Sequence, residues 1–253
     1  YHAWRFGLDG QLRKAPRQEL NQGFSPDGIA LRQLRVETCG PLIFVNADAE
    51  AQTVAATYPN WLEQVGTAFD PELELHVTKR YPVKANWKVV VEGAFECYHC
   101  PTIHPSLSAS MKTTEDLQFD FFGNYAMRRL LAARSRGEGV APARDASGRL
   151  SFLWPNLFVI ARQQRSMAAV QILPVDATTT ILQRQFWFTG AVSSEERDSI
   201  VNFTEVTDLE DVDIAEVVQR GLASGLYSPG RLMMPTSEAG VAYHQRLVRD
   251  AVG

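Results

Sequence analysis

Two periods of hydrophobic and polar positions divide this chain. Leu73, Leu75 and Val77 are interleaved with Glu74, His76 and Thr78, the two-residue period of a half-buried strand. Further strand-like runs occupy residues 117–122, 125–131, 152–160, 168–173 and 179–189. Residues 1–50 read as short strands cut by turns, with Asp9-Gly10 and Pro26-Asp27-Gly28 as turn signals and 41–46 as a short apolar strand. A helical period takes over at 47–63, with Trp61, Leu62 and Val65 as core anchors. It returns at 87–98, where Asn86 is placed to cap the first turn by accepting an orphan backbone N–H. The longest helical stretch runs from the capping signal Ser193-Ser194-Glu195-Glu196 to about Ala223. Its apolar stripe is Ile200, Phe203, Val206, Leu209, Ile214, Val217, Val218 and Leu222. A last helix covers 237–248, and residues 134–148, rich in Arg, Gly, Ala and Ser, read as a surface loop. Together these elements predict an α+β fold: an antiparallel sheet gripped by long helices and preceded by a small β fragment.

Composition narrows the function. The 253 residues include 25 Lys plus Arg and 29 Asp plus Glu, a formal charge of −4. That mildly acidic balance argues against a nucleic-acid partner, whose phosphates need a basic face. With 45% hydrophobic and 21% charged residues the chain can bury a sizeable core, so global disorder is excluded. No apolar run approaches the roughly 20 residues needed to cross a bilayer, so no membrane partner is expected. Three cysteines, Cys39, Cys97 and Cys100, are too few for a disulfide framework and suit a reducing, cytoplasmic location. The lone C-x-x-C pair, Cys97 and Cys100, reads as two buried small side chains rather than a zinc site. The chain opens on Tyr1-His2-Ala3-Trp4 with no initiator Met, which reads as the inside of a motif and so as an N-terminally truncated piece.

Metal-capable side chains are densest at Glu92, Glu96, Cys97, His99, Cys100 and His104. On an unbroken helix a spacing of five would set His99 and His104 about 140° apart. Pro101 and Pro105 break that geometry, and a helix stopping near His99 and turning back at Pro101 aims both imidazoles at one point. Two ordinary histidines near a helix end would show the same spacing. Two histidines leave room for a carboxylate and open positions on iron, zinc or copper. The long helix offers the carboxylate: Asp211 lies three residues before Ile214 and seven before Val218, at the edge of the apolar stripe, and Glu210 is about as inward. Periodicity leaves both open. His76 and His244 carry no such company and read as structural or solvated. Trp154, Phe158, Phe186, Trp187 and Phe188 are mostly core, although an aromatic wall would suit a cationic ligand. No Gly-x-Gly-x-x-Gly is present, so no nicotinamide or flavin fold is expected and electrons would have to come from a partner.

The run Asn86-Trp87-Lys88-Val89-Val90-Val91-Glu92, followed by Glu96-Cys97-Tyr98-His99-Cys100-Pro101-Thr102-Ile103-His104-Pro105, strongly resembles the catalytic domain of Rieske non-haem iron oxygenases, the ring-hydroxylating α-subunit family. The similarity continues through Phe152-Leu153-Trp154-Pro155-Asn156, Leu173-Pro174-Val175-Asp176, Glu210-Asp211, Val218-Gln219-Arg220-Gly221-Leu222 and Tyr227-Ser228-Pro229-Gly230. It implies a helix-grip catalytic domain at 47–253, preceded at 1–46 by the C-terminal remnant of a small β Rieske domain. His99, His104 and Asp211 then match the ligands of mononuclear Fe(II), and Glu96 the acid that bridges to the cluster of a neighbouring subunit. Glu rather than Asp at 96 resembles the branch acting on choline, carnitine and betaines. His2 matches a ligand of the 2Fe-2S Rieske cluster, whose other ligands this chain lacks. The implied activity is mono- or dioxygenation with O₂: hydroxylation or dihydroxylation of an aromatic compound, or oxidative demethylation of a quaternary amine. The implied partners are a separate reductase, with or without a ferredoxin, and further subunits in a homotrimer or α3β3 assembly; the chain alone is expected to be inactive. Two other readings stand beside this one, a zinc-dependent hydrolase, which would lack a His-Glu-x-x-His base motif, and a non-catalytic small-ligand-binding helix-grip domain.

Overall fold

A computed structural model describes residues 2–65, 69–110, 119–130, 148–162, 165–234 and 237–253. The chain forms two compact units, Tyr1–Ala56 and Thr57–Gly253. The division falls beyond the expected one at residue 46. The cause is local: the Glu37 carboxylate accepts the Val54 N–H at 3.1 and 3.2 Å, and Arg32 donates to the Ala47 carbonyl at 2.9 Å, so 47–56 stays with the first unit.

The first unit holds two small antiparallel ribbons. Strands β1 (Arg5–Phe6) and β2 (Leu12–Lys14) form one; β3 (Arg35–Cys39) and β4 (Leu42–Asn46) form the other, turning at Gly40. The helical stretch expected at 47–63 is instead two short helices, α1 (Val54–Thr57) and α2 (Trp61–Val65). Pro59 cannot continue a helix and Asn60 takes a φ of +63°, which breaks the run.

The second unit is built on a seven-stranded antiparallel sheet. After β5 (Glu74–Val83) come three helices, α3 (Trp87–Phe95), α4 (Cys100–Ile103) and α5 (Pro105–Ser110). The chain returns as β6 (Asp120–Phe122), β7 (Tyr125–Leu130), β8 (Gly148–Leu153), β9 (Leu157–Arg162), β10 (Ser166–Pro174) and β11 (Thr180–Phe188). Two long helices close it, α6 (Ser194–Ala223) and α7 (Ala239–Val252). The strand order is β5-β11-β10-β9-β8-β7-β6, a meander in which β5 pairs with the last strand. The run expected at 152–160 is two strands, since the Trp154-Pro155-Asn156 turn reverses it. Most of the expected loop at 134–148, and the start of the strand at 117–122, lie outside the described residues.

One face of the sheet carries the core. Tyr81, Val83, Leu182, Ala126, Phe152 and Phe158 meet Val90, Val91 and Phe95 of α3 and Val241, Tyr243 and Leu247 of α7 there. A run of valines is a poor helix former, so α3 depends on this burial and on its cap, the Asn86 side chain accepting from the Lys88 N–H at 3.1 Å. Helix α7 runs so close to α3 that a Cβ on Gly240 would lie 2.8 Å from the Phe95 carbonyl oxygen.

Helix α6 departs from its expected face. Phe203, Val206, Leu209, Val217, Val218 and Leu222 are exposed, and the buried positions are Val201, Asp208 and Ala215. The reason is that β5 and β11 present polar side chains. Lys79 and Tyr81 bind the Glu205 carboxylate, and Arg184 makes a two-pronged contact with Asp208 at 2.6 and 2.8 Å. Farther along, Glu216 and Gln219 accept the backbone N–H groups of Lys84 and Asn86. The helix is therefore registered on the sheet by specific polar contacts, which fixes where its Glu210 and Asp211 point.

The side chains of Arg184 and Asp208 are 12% and 2% exposed, against 32% and 30% for Lys79 and Glu205. Breaking a buried pair strands a charge, so Arg184→Met should destabilise the fold by about 3–5 kcal/mol. Lys79→Met, at the wetter pair, should cost at most about 1 kcal/mol. Urea unfolding of both variants checks the difference.

Candidate metal centre

Helix α3 stops at Phe95 because Glu96 adopts an extended conformation, φ −125° and ψ 167°. Its carboxylate turns forward and accepts the backbone N–H groups of Tyr98 and His99. The same carboxylate engages His99 Nδ1. Pro101 does not end the preceding helix, as expected from sequence; it opens the next one, in the first turn of α4, where its missing N–H is no loss. Helix α4 is a single turn with His99 at its N-cap and His104 at its C-cap. The five-residue spacing thus flanks one turn rather than winding round a long helix, and both imidazoles face the same point.

The three atoms at that point are His99 Nε2, His104 Nε2 and Asp211 Oδ1. The two nitrogens are 3.1 Å apart, and Oδ1 lies 2.9 Å from His104 Nε2 and 3.5 Å from His99 Nε2. Three donors bound at right angles with bonds of about 2.1 Å would sit about 3 Å apart. Glu210 takes a different place: its Oε2 is 2.8 Å from His104 Nδ1, behind the ring. Asp211 therefore faces the convergence point and Glu210 supports a histidine, a choice that periodicity left open.

Each histidine thus has its Nδ1 on a glutamate, Glu96 for His99 and Glu210 for His104. Nδ1–H donated to a carboxylate leaves Nε2 as a lone pair. Two such lone pairs and a carboxylate oxygen converging within 3.5 Å repel one another unless a cation joins them. Without a metal the cation is a proton. Burial opposes charge on His99, but the Asp211 and Glu96 carboxylates outweigh it and raise its pKa from 6.5 to about 9. His104 is raised in the same way, burial opposing and Asp211 and then Glu210 prevailing. Asp211 is lowered despite its burial, by His104 and His99. The donor set, two imidazoles and one carboxylate on one side, fits a divalent iron with open positions opposite.

Cys97 and Cys100 are bonded to each other in a disulfide, not left as two free side chains; their Cα atoms are 4.7 Å apart, within reach of a bridge. Cys39 is free and buried. His2 is exposed in the first unit, which contains one histidine and one cysteine. A Rieske cluster takes two of each, so the residues of this chain do not supply its donor set. His76 lies at the surface, 3.6 Å from Asp198. His244 is fully buried beside Trp87 and Trp154, with Nδ1 3.6 Å from Glu92 and no hydrogen bond to either ring nitrogen. Of the aromatic residues singled out in the sequence, Trp154 and Phe158 join the cluster around Phe95, while Phe186 and Phe188 pack with Val201 in another. Among the described residues no helix is long and apolar enough to cross a membrane.

Residues 69–253 match the family described as ring hydroxylating alpha subunit (catalytic domain). The carnitine monooxygenase oxygenase subunit of Escherichia coli (strain K12) is 31% identical over 252 residues, which are 96% of this chain and 67% of that protein. The chloroplastic choline monooxygenase of Atriplex hortensis is 27% identical over 253 residues, 96% of this chain and 56% of that one. A quaternary ammonium Rieske monooxygenase, whose structure was described as giving insight into carnitine oxidation and inter-subunit electron transfer, superposes with a TM-score of 0.84 at 28% identity, covering 99% of this chain and 70% of that one.

Two outcomes test the geometry. A raised pKa means that metal-free His99 contributes stability present in full below pH 6.5 and lost as pH rises through about 9. Melts of the metal-free protein should show this loss, and His99→Ala should show a smaller one, since His104 is raised in the same sense; bound Fe(II) should reverse the slope, because the metal needs both imidazoles deprotonated. Separately, Glu210→Gln should weaken Fe(II) binding about 10- to 100-fold without unfolding the protein, as removal of an outer partner of a metal-binding histidine does. Competition titration against a chelator measures it.

Proposed function

The chain belongs to the ring hydroxylating α-subunit family of Rieske oxygenases, which are oxidoreductases, and from that membership we propose that it oxidises a quaternary amine at Fe(II) held by His99, His104 and Asp211. The observation that carries this reading is the convergence of two imidazole lone pairs and one carboxylate oxygen with both outer imidazole nitrogens held by glutamates. Bound there, iron supplies the place where O₂ is activated. The protein's part is to hold the imidazoles in one tautomer, keep the donors on one side and leave the opposite side for O₂ and substrate. The substrate class follows from relatives that act on carnitine and choline, and from Glu at position 96. The oxidised position is a C–H of that amine; ring hydroxylation is the alternative within the family. The zinc-hydrolase and non-catalytic readings have no comparable support.

The partners fit the same picture. Electrons arrive from a separate reductase, and a further subunit covers the exposed apolar side chains of α6, the helix that carries Asp211. Glu96 touches His99 directly, so it is the group through which a neighbouring subunit's redox centre would be coupled to the iron site.

Glu96→Gln keeps the shape of the side chain and its acceptor for backbone N–H. It should weaken Fe(II) binding no more than Glu210→Gln does, about 10- to 100-fold, while coupled turnover at saturating iron, in the assembled enzyme with its reductase, falls far more. His104→Ala should lose iron altogether. Metal analysis and amine-dependent O₂ uptake separate these effects; an iron-free wild type after anaerobic reconstitution would sink the reading.

A further inference from the structure

The bond between Cys97 and Cys100 lies inside the segment that makes the metal centre. Cys97 follows Glu96, Cys100 follows His99, and Cys100 opens α4, whose C-cap is His104. The turn is set without the sulfurs: Glu96 accepts the Tyr98 and His99 N–H groups, and the Cys100 N–H donates to the Cys97 carbonyl at 3.2 Å. That turn leaves the two Cα atoms 4.7 Å apart, inside the range from which a bridge closes with little backbone movement. Stabilisation is a poor account of the bond, because so short a loop restricts the unfolded chain less than a long one. Its position is more telling. The Cys100 sulfur and one ring nitrogen from each of His99 and His104 lie within 4.8 Å of one another. Cys97 and Cys100 are 6% and 2% exposed and pack with Leu107. An oxidant in bulk solvent therefore reaches them poorly, whereas one formed at the metal centre is already beside them.

We infer that the reduced pair guards the metal centre: Cys97 and Cys100 consume hydrogen peroxide formed there and close into the bond seen in this structure, in place of oxidation of His99 and His104. The inference rests on the reading of the site as an O₂-activating iron centre and goes beyond it. When electrons from the reductase arrive with no amine to oxidise, O₂ takes up two electrons and two protons and is released as hydrogen peroxide. The Cys100 sulfur, which stands by the imidazoles, attacks one peroxide oxygen. The O–O bond breaks, one water leaves, and Cys100 becomes a sulfenic acid. The Cys97 sulfur then displaces that oxygen as a second water, and the S–S bond forms. Two thiols and one peroxide thus give one disulfide and two waters. Backbone contacts hold the turn in both states, so His99 keeps its place. A dithiol reductant restores the pair by two exchange steps, becoming a disulfide itself. Its approach is beside Tyr98, Pro101 and Thr102, which are exposed.

The test starts from the chain reduced with a small dithiol that is then removed, loaded with Fe(II), loaded with Zn(II) or left metal-free. Each form is exposed to air and ascorbate without amine. Ascorbate supplies the electrons, and zinc, having no redox chemistry, cannot pass them to O₂. Peptide mass spectrometry reads the Cys97–Cys100 bond and any oxygen added to cysteine, His99 or His104. In the Fe(II) form the bond should close at least about tenfold faster than in the other two, as expected for an oxidant made beside its thiol. Catalase in the buffer should leave that difference in place, since it removes only peroxide that has escaped. Cys97→Ser, without a resolving thiol, should carry Cys100 on to the sulfinic acid. The double variant Cys97→Ser/Cys100→Ser should gain oxygen on His99 and His104, and lose iron, faster than wild type. The inference is overturned if the Fe(II) form closes the bond no faster than the Zn(II) and metal-free forms, if catalase abolishes the difference, or if the double variant's histidines are oxidised no faster. The comparison of metals needs no substitution, so it decides even where a serine variant does not fold. A wild-type chain that takes up no iron would overturn the reading of the site itself, which is a different failure.

Discussion

Three electron pairs pointed at one another are the constraint on which the rest of this structure depends. His99 Nε2, His104 Nε2 and Asp211 Oδ1 lie within 3.5 Å of each other, and no arrangement of neutral hydrogen bonds satisfies all three. Each is held by something that does not move easily. The imidazoles flank the single turn of α4, and their outer nitrogens are locked on Glu96 and Glu210. The carboxylate comes from a helix of 30 residues registered on the sheet by buried ionic contacts. Repulsion is thereby built in when the chain folds and relieved when a cation enters, which is how a fold stores affinity for a metal.

The way α6 is held explains a feature that hydropathy misreads. Its inward positions follow the helical period 201, 205, 208, 212, 215 and 219, but half of them are polar. Lys79, Tyr81 and Arg184 on β5 and β11 require it. A helix docked on apolar surface alone can slide or rotate at little cost, whereas a two-pronged Arg184–Asp208 contact defines one position. Asp208 is also one turn from Asp211, so the contact that fixes the one fixes the other. The apolar residues displaced by this arrangement, among them Phe203, Val206 and Leu209, end up exposed.

Much of this was legible in the sequence for reasons that are local. Asn86 and Ser193 cap helices because their side chains accept N–H groups within three residues, and both do so here. The strand-like runs at 168–173 and 179–189 are β10 and β11. What failed depended on the partner across space. The run at 152–160 is apolar but for Asn156, and only the turn at 154–156 tells one long strand from two. The choice between Glu210 and Asp211 turned on about 100° of helix rotation, which a stripe of misread hydrophobic residues could not fix. The Cys97–Cys100 bond, too, was discounted on grounds of compartment although its spacing allowed it.

Arg128 shows the same limit from the other side. Among 25 Lys and Arg residues nothing in its neighbours Met127 and Arg129 marks it. Alternation on β7 does mark it, because Ala126 and Leu130 share its parity and are buried. A cation at an inward strand position should ordinarily meet an acid on the facing element, as Arg184 of β11 meets Asp208 of α6. Among the described residues the guanidinium of Arg128 stands over the ring of Phe119. Strand parity therefore marks the inward position, while the partner that a cation there takes is set by which side chains the fold brings opposite it, here an aromatic face rather than an acid.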